Sequence, residues 1–295
     1  MSHEPTAAAR LRARLQRPGA ILAPSVPDPL TARLAERAGF DAIALGGYTL
    51  GAHLLCTEPL IDVQELAATI RRITRYVDAP LIVDGGAGYG EAMHVRHTVQ
   101  EVERAGAAAV HIEDQHFPKR AHYHRGVEAV IDVERMLPKI RAAAAARRDP
   151  DTVIIARTDA MRTHGYEEGI RRAKAYVEAG ADLAMTFPND AREAASAPRD
   201  AGVPLVYTNS QGGRFGRPVL TRAQLDEAGW AIALDAQGAI LTVTRALEAM
   251  FAHLHEHGEI DVPQDQLIPL RDHLEEVVGL EELYRLEEET VEDLS

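Results

Sequence analysis

Short apolar segments alternate with longer segments of helical periodicity along most of the sequence. Eight of the short segments are almost continuously apolar, which is typical of parallel strands buried on both faces. They are AILAPSV (20–26), DAIALGG (41–47), PLIVDGG (80–86), AAVHIED (108–114), TVIIARTDA (152–160), LAMTFP (183–188), PLVYTN (204–209) and WAIALD (230–235). Eight strand–helix units within residues 20–235 predict an α/β protein with a (β/α)8 TIM barrel rather than an open doubly wound sheet.

No linker rich in Pro, Gly or Ser divides the chain of 295 residues. We therefore predict a barrel over residues 1–238 and a C-terminal helical extension over residues 239–295, where the apolar residues recur with helical spacing. A helix beyond the barrel needs a cover for its apolar face, and a second subunit is the simplest one.

Charge and composition narrow the classes of partner and compartment. The formal net charge of −13 argues against nucleic acid or an anionic membrane as partner, although much of it lies in the Glu-rich segment 275–293. A single cysteine, Cys56, excludes an intrachain disulfide and is typical of a reducing compartment. The N-terminus lacks the apolar core of a signal peptide, and no segment has the roughly 20 apolar residues of a membrane span. We expect a cytoplasmic protein.

Polar side chains stand where the predicted strands end. In (β/α)8 barrels the carboxyl ends of the strands surround one opening, the mouth, where the chemistry takes place. The candidates there are Gly46, Gly47, Tyr48, Asp84, His111, Glu113, Asp114, Arg157, Asp159 and Asn209. Carboxylates, an arginine and an amide around one mouth suit a small anionic substrate held through a divalent cation.

Several of these residues also have a structural interpretation. Asp84 could cap the following helix instead of binding a ligand. Because side chains alternate along a strand, His111 and Glu113 should point into the barrel and Asp114 away from it. A backbone-bonding role for Asp114 and a functional one both remain open. Arg157 stands in an apolar strand and needs an anionic partner, which is either Glu113 or a substrate.

The segment FPKRAHYHRG (117–126) follows the fourth strand and is rich in Lys, Arg and His. A mobile cationic loop that closes over an anionic substrate is one interpretation, and a solvated loop is the other. Its two histidines, His122 and His124, and His116 just before it have no zinc-ligand spacing with cysteine or acid residues.

A family resemblance rests on several of these segments together. RPGAILAPSVPDPLTARLAERAGFDAIALGG, LIVDGGAGYG, VHIEDQHFPKR, IIARTDA, PLVYTN and GRPVLTRAQLDEAGW occur in this order over residues 18–250. The chain resembles the isocitrate lyase/phosphoenolpyruvate mutase superfamily, and within it the shorter members that are like 2-methylisocitrate lyase and oxaloacetate decarboxylase. The resemblance implies a barrel whose last helix is exchanged between subunits of a homodimer or homotetramer. It also implies a small carboxylate substrate, a Mg2+ site with Mn2+ as an alternative, and an enolate related to pyruvate.

Matching the motifs residue by residue assigns the site. The resemblance implies Asp84 and Glu113 as metal ligands, with Glu58 at a shifted and weaker match. It implies His111 and Arg157, with Lys119 of the loop, as catalytic residues, and Tyr123 is a candidate proton donor. The implied substrate-binding residues are Gly46, Gly47, Tyr48, Arg120 and Asn209.

Four positions depart from the family pattern. Gly86 and Ala87 stand where members have Asp and Thr, Ala121 stands where lyases have the acid Cys, and Phe187 stands where a Glu is expected. The loss of the second Asp predicts weaker metal binding. The loss of the Cys leaves His122, Tyr123 or His124 to supply a proton.

Three functional hypotheses follow. The first is a C–C lyase or decarboxylase that acts on a 2-oxo or 2-hydroxy dicarboxylate through a metal-stabilised enolate and releases pyruvate or an analogue. The second is a C–P mutase or hydrolase acting on phosphonopyruvate-like substrates. The third is a divergent member with a specialised biosynthetic or non-catalytic role, suggested by Gly86, Ala121 and Phe187.

Overall fold

The computed structural model describes residues 4–126, 129–213 and 216–290. The ends of the two predicted domains, residues 1–3 and 291–295, lie outside the described residues, as do the last residues of the Glu-rich segment.

Eight parallel strands form the centre of the barrel. They are β1 (Ile21–Pro24), β2 (Ile43–Leu45), β3 (Leu81–Asp84), β4 (Ala109–Glu113), β5 (Val153–Arg157), β6 (Leu183–Thr186), β7 (Leu205–Thr208) and β8 (Ile232–Asp235). The hydrogen-bonded order runs β1-β8-β7-β6-β5-β4-β3-β2, and a parallel bridge between Ser25 and Ala44 links the two remaining edges. The predicted (β/α)8 barrel is confirmed, and each strand lies within its predicted segment.

Helices precede and follow the strands along the chain. They are α1 (Ala7–Leu15), α2 (Pro29–Arg37), α3 (Gly47–His53), α4 (Val63–Thr74), α5 (Ala92–Arg104), α6 (Val133–Ala146), α7 (Ala160–Thr163), α8 (Tyr166–Glu178), α9 (Ala191–Ala201), α10 (Arg222–Ala228), α11 (Gly238–His257), α12 (Gln264–Val278) and α13 (Leu280–Thr290). Helix α4 illustrates the local rules: Asp62 and Glu65 form a capping box at its start, and its buried positions recur at helical spacing.

The alternation of side chains along the strands separates an inner cluster from the layers beneath the helices. Ile82 of β3, Ile155 of β5, Met185 of β6 and Val206 of β7 belong to the inner cluster. Phe187, just past the end of β6, belongs to it as well and is 4% exposed. The inner cluster therefore continues up to the mouth, where an aromatic ring forms part of it.

The chain divides into two compact units after Ile240, two residues beyond the predicted boundary. The second unit contains most of α11 together with α12 and α13. Many of its large apolar side chains are exposed, including Leu241, Leu247, Phe251, Leu270 and Leu283. Exchange of a helix between subunits stays a prediction. Among the described helices, none combines the length and the apolar character that a membrane crossing requires.

Candidate active site

The strand register brings the key side chains together at the mouth. Asp84, the last residue of β3, pairs with His111 of β4, and Glu113, the last residue of β4, pairs with Arg157, the last residue of β5. Residues that are far apart in sequence thus occupy neighbouring positions on adjacent parallel strands.

Three carboxylates form a cluster that could hold a metal ion. One oxygen each from Glu58, Asp84 and Glu113 lies within 4.8 Å of the other two. Glu58 begins the 3-10 turn Glu58–Leu60 after α3, and a Cβ at position 47 would lie 2.5 Å from its Cγ, so Gly47 makes room for it. Oxygen donors of this kind are the ligands that Mg2+ prefers. The structure brings together all three predicted metal ligands, including Glu58, whose family match was the weakest.

Asp84 is held by backbone amides and by charge. Its Oδ1 accepts a hydrogen bond from the amide of Gly86 at 2.8 Å and lies 3.4 Å from Nδ1 of His111, while its Oδ2 accepts from the amide of Gly47 at 3.2 Å. Burial by itself raises the pKa of Asp84, but the charges of His111, Lys119 and Arg157 outweigh burial and lower the pKa below its usual range. Helix α5 is capped by Glu91, so Asp84 does not cap it.

Glu113 is fully buried between two cations. Its Oε1 lies 2.9 Å from Nζ of Lys119, and its Oε2 lies 3.0 Å from a terminal nitrogen of Arg157, yet neither contact has the geometry of a hydrogen bond. Lys119 also pairs with Glu58. Burial raises the pKa of Glu58 to about 7, because the opposing charge of Lys119 compensates only part of the desolvation. The carboxylate oxygens of Glu113 therefore remain able to bind a ligand such as a cation.

Arg157 has several anionic and aromatic neighbours. Besides Glu113, one of its terminal nitrogens lies 3.2 Å from Oδ2 of Asp159 and donates to the Tyr123 hydroxyl at 2.5 Å. Its guanidinium also lies 4.7 Å from the ring centroid of Phe187. The sequence left two anionic partners open for Arg157, Glu113 and a substrate. The structure has Glu113 in contact with Arg157.

The loop after β4 lies against these groups. Tyr123 belongs to the 3-10 turn Ala121–Arg125, and Nζ of Lys119 lies 4.3 Å from the centroid of its ring. Burial raises the pKa of Tyr123 to about 12, so its hydroxyl keeps its proton at neutral pH. The side chain of His124 is 3.1 Å from the Thr57 hydroxyl, which ties the loop to the turn that carries Glu58.

The predicted substrate-binding residues have varied surroundings. Both ends of the Asn209 amide bond to the main chain of Leu220, at 2.9 and 2.8 Å, and the amide of Gly46 donates to Oγ of Ser25 at 3.1 Å. Arg120 is exposed, and Tyr48 is partly exposed with its ring edge-on to that of His124. Direct contact of these residues with a substrate therefore stays a prediction.

Asp114 lies on the other face of β4 and is fully bonded. Its Oδ2 accepts from the hydroxyls of Thr158 and Tyr176 and from Arg172, at 2.6, 2.9 and 2.9 Å. The amide of Asp159 donates to its Oδ1 at 3.2 Å. Of the two roles left open for Asp114, the structure shows the structural one. Its side chain lies on the opposite face of the strand from His111 and Glu113, as predicted.

The position of Gly86 borders an open recess. Its φ is +51°, and an added Cβ would meet nothing within 4 Å. The recess, about 40 Å3, is lined on one side by Asp84, Glu58 and Lys119 and on the other by apolar groups that include Tyr89 and Phe117. Open space therefore lies beside Gly86, the position at which the resemblance implies a second carboxylate.

Two further residues lie near Arg157. Asp159 is one of the mouth candidates predicted from the sequence, without an assigned role; it bonds to Arg157 and accepts from the Gln115 side chain at 2.6 Å. Arg217, whose guanidinium lies 4.4 Å from the Phe187 ring centroid, belongs to the GRPVL segment that carried part of the resemblance. The sequence alone did not assign Arg217 a role, because it lies outside the predicted strands and the contact depends on how the loop after β7 folds.

Known proteins resemble the chain over most of its length. The family model described as phosphoenolpyruvate phosphomutase matches residues 11–255. The 2-methylisocitrate lyase of Aeropyrum pernix is 40% identical over 84% of this chain and 80% of its own. The 2,3-dimethylmalate lyase of Eubacterium barkeri is 31% identical over 95% of this chain and 96% of its own. A solved structure of phosphonopyruvate hydrolase in complex with oxalate and Mg2+ superposes with a TM-score of 0.83, 30% identity and coverage of 97% and 100%.

Proposed function

The chain belongs to the phosphoenolpyruvate phosphomutase family, and from that premise we propose that it is a C–C lyase or decarboxylase. It would act on a 2-oxo or 2-hydroxy dicarboxylate through an enolate and release pyruvate or an analogue. The observation that carries the proposal is the Glu58–Asp84–Glu113 cluster directly beside Arg157. The relatives named as 2-methylisocitrate lyase and 2,3-dimethylmalate lyase support the same reaction class.

The carboxylate cluster fits a divalent cation. Glu58, Asp84 and Glu113 would hold Mg2+, or Mn2+ in its place. The two buried oxygens of Glu113 accept no hydrogen bond among the described residues, so their lone pairs would be available to coordinate such an ion. When bound, the ion stabilises negative charge that develops on the substrate oxygen. Because Gly86 stands where the family has a second Asp, we expect weaker metal affinity than in members that keep it.

The side chains around the cluster have separate tasks in this proposal. Arg157, fixed by Asp159 and Tyr123, binds the anionic oxygen of the substrate and of the enolate. Tyr123 keeps its proton because its pKa is raised by burial, so it is able to donate that proton to the enolate carbon. Lys119 adds positive charge next to Glu58 and Glu113, and His111 places a ring nitrogen next to Asp84.

A substrate panel tests the proposal. Incubation with Mg2+ and 2-methylisocitrate, 2,3-dimethylmalate or oxaloacetate, followed by proton NMR, should show pyruvate that forms faster than in a protein-free sample with the same metal, and only when the metal is present. We expect Asp84→Asn to lower the rate by about 100-fold or more, because a neutral amide neither binds the cation nor balances the cationic side chains. Asp190→Asn, which changes the cap residue of α9, is the matched control and should retain the wild-type rate. No pyruvate above the protein-free level from any of the three, or a rate indifferent to metal and to Asp84→Asn, would refute the proposal.

C–P chemistry is the second candidate, favoured by the structural similarity to phosphonopyruvate hydrolase. Phosphorus NMR of phosphonopyruvate incubated with the protein separates the two candidates, because C–P cleavage or rearrangement moves the phosphorus resonance. The third hypothesis, a member without catalysis, rests on the departures Gly86, Ala121 and Phe187. Calorimetric binding of both Mg2+ and oxalate would count against it.

We further propose that the protein forms a homodimer or homotetramer in the cytoplasm. The support is the set of exposed apolar side chains on the C-terminal helices, which an isolated chain would leave in water. Light scattering of the full chain should give a mass of two or four subunits, and a monomer across the micromolar range would contradict the proposal.

A further inference from the structure

One buried aromatic ring at the mouth contacts two guanidinium groups. The centroid of Phe187 lies 4.7 Å from the guanidinium carbon of Arg157 and 4.4 Å from that of Arg217. Arg157 reaches the ring from β5, whereas Arg217 reaches it from the segment between β7 and α10. Two cations therefore share one ring, close enough for a short dicarboxylate to extend from one to the other.

The two arginines differ in their counter-ions. Arg157 pairs with Glu113 and Asp159. Around Arg217, by contrast, no carboxylate oxygen of the described ranges 4–126, 129–213 and 216–290 lies within the 4.0 Å of an ion pair. Burial lowers the pKa of Arg217, and the nearby charge of Arg162 lowers it further, while Tyr123, Tyr207 and Asp159 compensate only in part. A cation with so little compensation attracts an anionic ligand.

A neighbouring hydroxyl points to the same place. The register pairs Thr186 of β6 with Tyr207 of β7, so Phe187 and Thr208, the next residues along these two strands, lie side by side. Thr208 follows Val206 by two positions and therefore shares its inner face of β7. The Thr208 side-chain oxygen is buried and has no hydrogen-bond partner in the described structure. A buried hydroxyl without a hydrogen-bond partner is uncommon, and a bound ligand would provide that partner.

We propose that Arg217 and Thr208 form a subsite for the substrate carboxylate that is remote from the Glu58–Asp84–Glu113 cluster. The inference rests on the proposed function and assigns to named residues the binding of the second carboxylate of its dicarboxylate substrate. Arg217 supplies a paired N–H donor and the positive charge, Thr208 supplies a hydroxyl donor, and Phe187 orients the Arg217 side chain through its ring face. Arg217 is thus a specificity-determining residue.

A matched pair of ligands isolates the remote carboxylate. Malate and 2-hydroxybutyrate share the 2-hydroxy acid end, and at the other end a carboxylate in malate replaces a methyl group. Calorimetry in Mg2+ should show that the wild type prefers malate. Arg217→Ala should weaken malate binding by about 30-fold or more, because a buried charge pair is lost, and should change 2-hydroxybutyrate binding less than about twofold. Thr208→Val, which keeps the shape of the side chain, should weaken malate binding by about tenfold.

Two further variants guard against a trivial result. Arg222→Ala removes an equal charge from α10, where the side chain is exposed, and should leave both affinities unchanged. Arg217→Lys keeps the charge without the planar fork and should give an intermediate loss for malate, which a misfolded protein would not.

An equal loss for both ligands in Arg217→Ala, an unchanged malate affinity, or a wild type that does not prefer malate would each overturn the subsite. None of these binding results depends on turnover, so the 2-oxo-acid assay still decides the proposed lyase activity separately.

Discussion

Glu113 and Asp114 are consecutive residues with opposite surroundings. Both are fully buried carboxylates at the end of β4, but Glu113 faces the mouth and Asp114 faces the helices. Asp114 accepts four hydrogen bonds, from two hydroxyls, one guanidinium and one amide. Glu113 lies between Lys119 and Arg157, and neither of its oxygens accepts a hydrogen bond within the described residues.

The difference shows how one strand serves stability on one face and chemistry on the other. A buried carboxylate that accepts several hydrogen bonds holds its neighbours in place, so its removal lowers the free energy of unfolding. A buried carboxylate that is surrounded by cations but accepts no hydrogen bond can bind a ligand, so its removal lowers the turnover rate. Titration separates the regions further: the pKa is raised to about 7 for Glu58 at the mouth and lowered to about 2 for Glu168, which bonds to Arg172 beside Asp114.

The largest effect on stability should come from Asp114. Asp114→Ala leaves the buried Arg172 without its inner partner and two hydroxyls without an acceptor, so we expect the free energy of unfolding to fall by about 3–5 kcal/mol. Urea unfolding followed by circular dichroism measures it. Asp200→Ala, on the exposed side of α9, offers a milder comparison. If Asp114→Ala cost less than about 1 kcal/mol, the structural half of the comparison would be wrong.

Glu113 should behave in the reverse manner. Glu113→Gln has nearly the same shape but neither binds a cation nor balances Arg157, so we expect turnover of an active substrate to fall by about 100-fold or more. Lys119 keeps Glu58 and Arg157 keeps Asp159 as partners, and Glu113 accepts no hydrogen bond within the described residues, so the thermal midpoint should fall by less than in Asp114→Ala. Steady-state kinetics with a melting curve on the same sample checks both halves. A protein that melts far earlier while its turnover is unchanged would reverse the assignment of the two faces.

The smallest effect is an acid dependence of stability on the Asp114 side. Hydrogen bonds from Arg171, and then from Arg172, lower the pKa of Glu168 from the usual 4.5 to about 2, despite an opposing contribution from burial. The folded protein therefore binds fewer protons here than the unfolded chain between those values. This part of the stability is present above pH 4.5 and is lost as the pH falls towards 2.

Urea unfolding at a series of pH values measures this dependence, with Glu168→Gln as the comparison. The variant should lose less stability than the wild type across that interval, since it has no carboxylate to protonate. If the free energy of unfolding depended on pH in the same way in both proteins, Glu168 would not be the source of the acid dependence.

The barrel and much of its mouth follow from local sequence rules. Strands buried on both faces must be continuously apolar, and so the polar residues that end them, such as Asp84 and Arg157, mark the mouth directly. The alternation along β4 even separated His111 and Glu113 from Asp114. Glu58, which lies outside any strand, was found only through the family resemblance.

Other features of the mouth depend on contacts that no local pattern encodes. Asn209 ends β7 as a predicted ligand would, yet its amide pairs with the main chain of Leu220 across a loop. Arg217 reaches Phe187 from a loop as well, and the choice of partner there depends on how loops fold over the barrel. The open space at Gly86 is a property of three-dimensional packing, which the sequence does not encode locally.

The central claim is that the face of β4 with Glu113 holds a divalent cation for chemistry. A crystal structure of the protein soaked with Mg2+ and oxalate tests it most directly. We predict an ion bound by Asp84 and Glu113, directly or through water, with metal–oxygen distances of about 2.0–2.1 Å and Lys119 moved off Glu113. Oxalate without an ion, or an unchanged Lys119 contact with Glu58 and Glu113 at saturating Mg2+, would contradict the account.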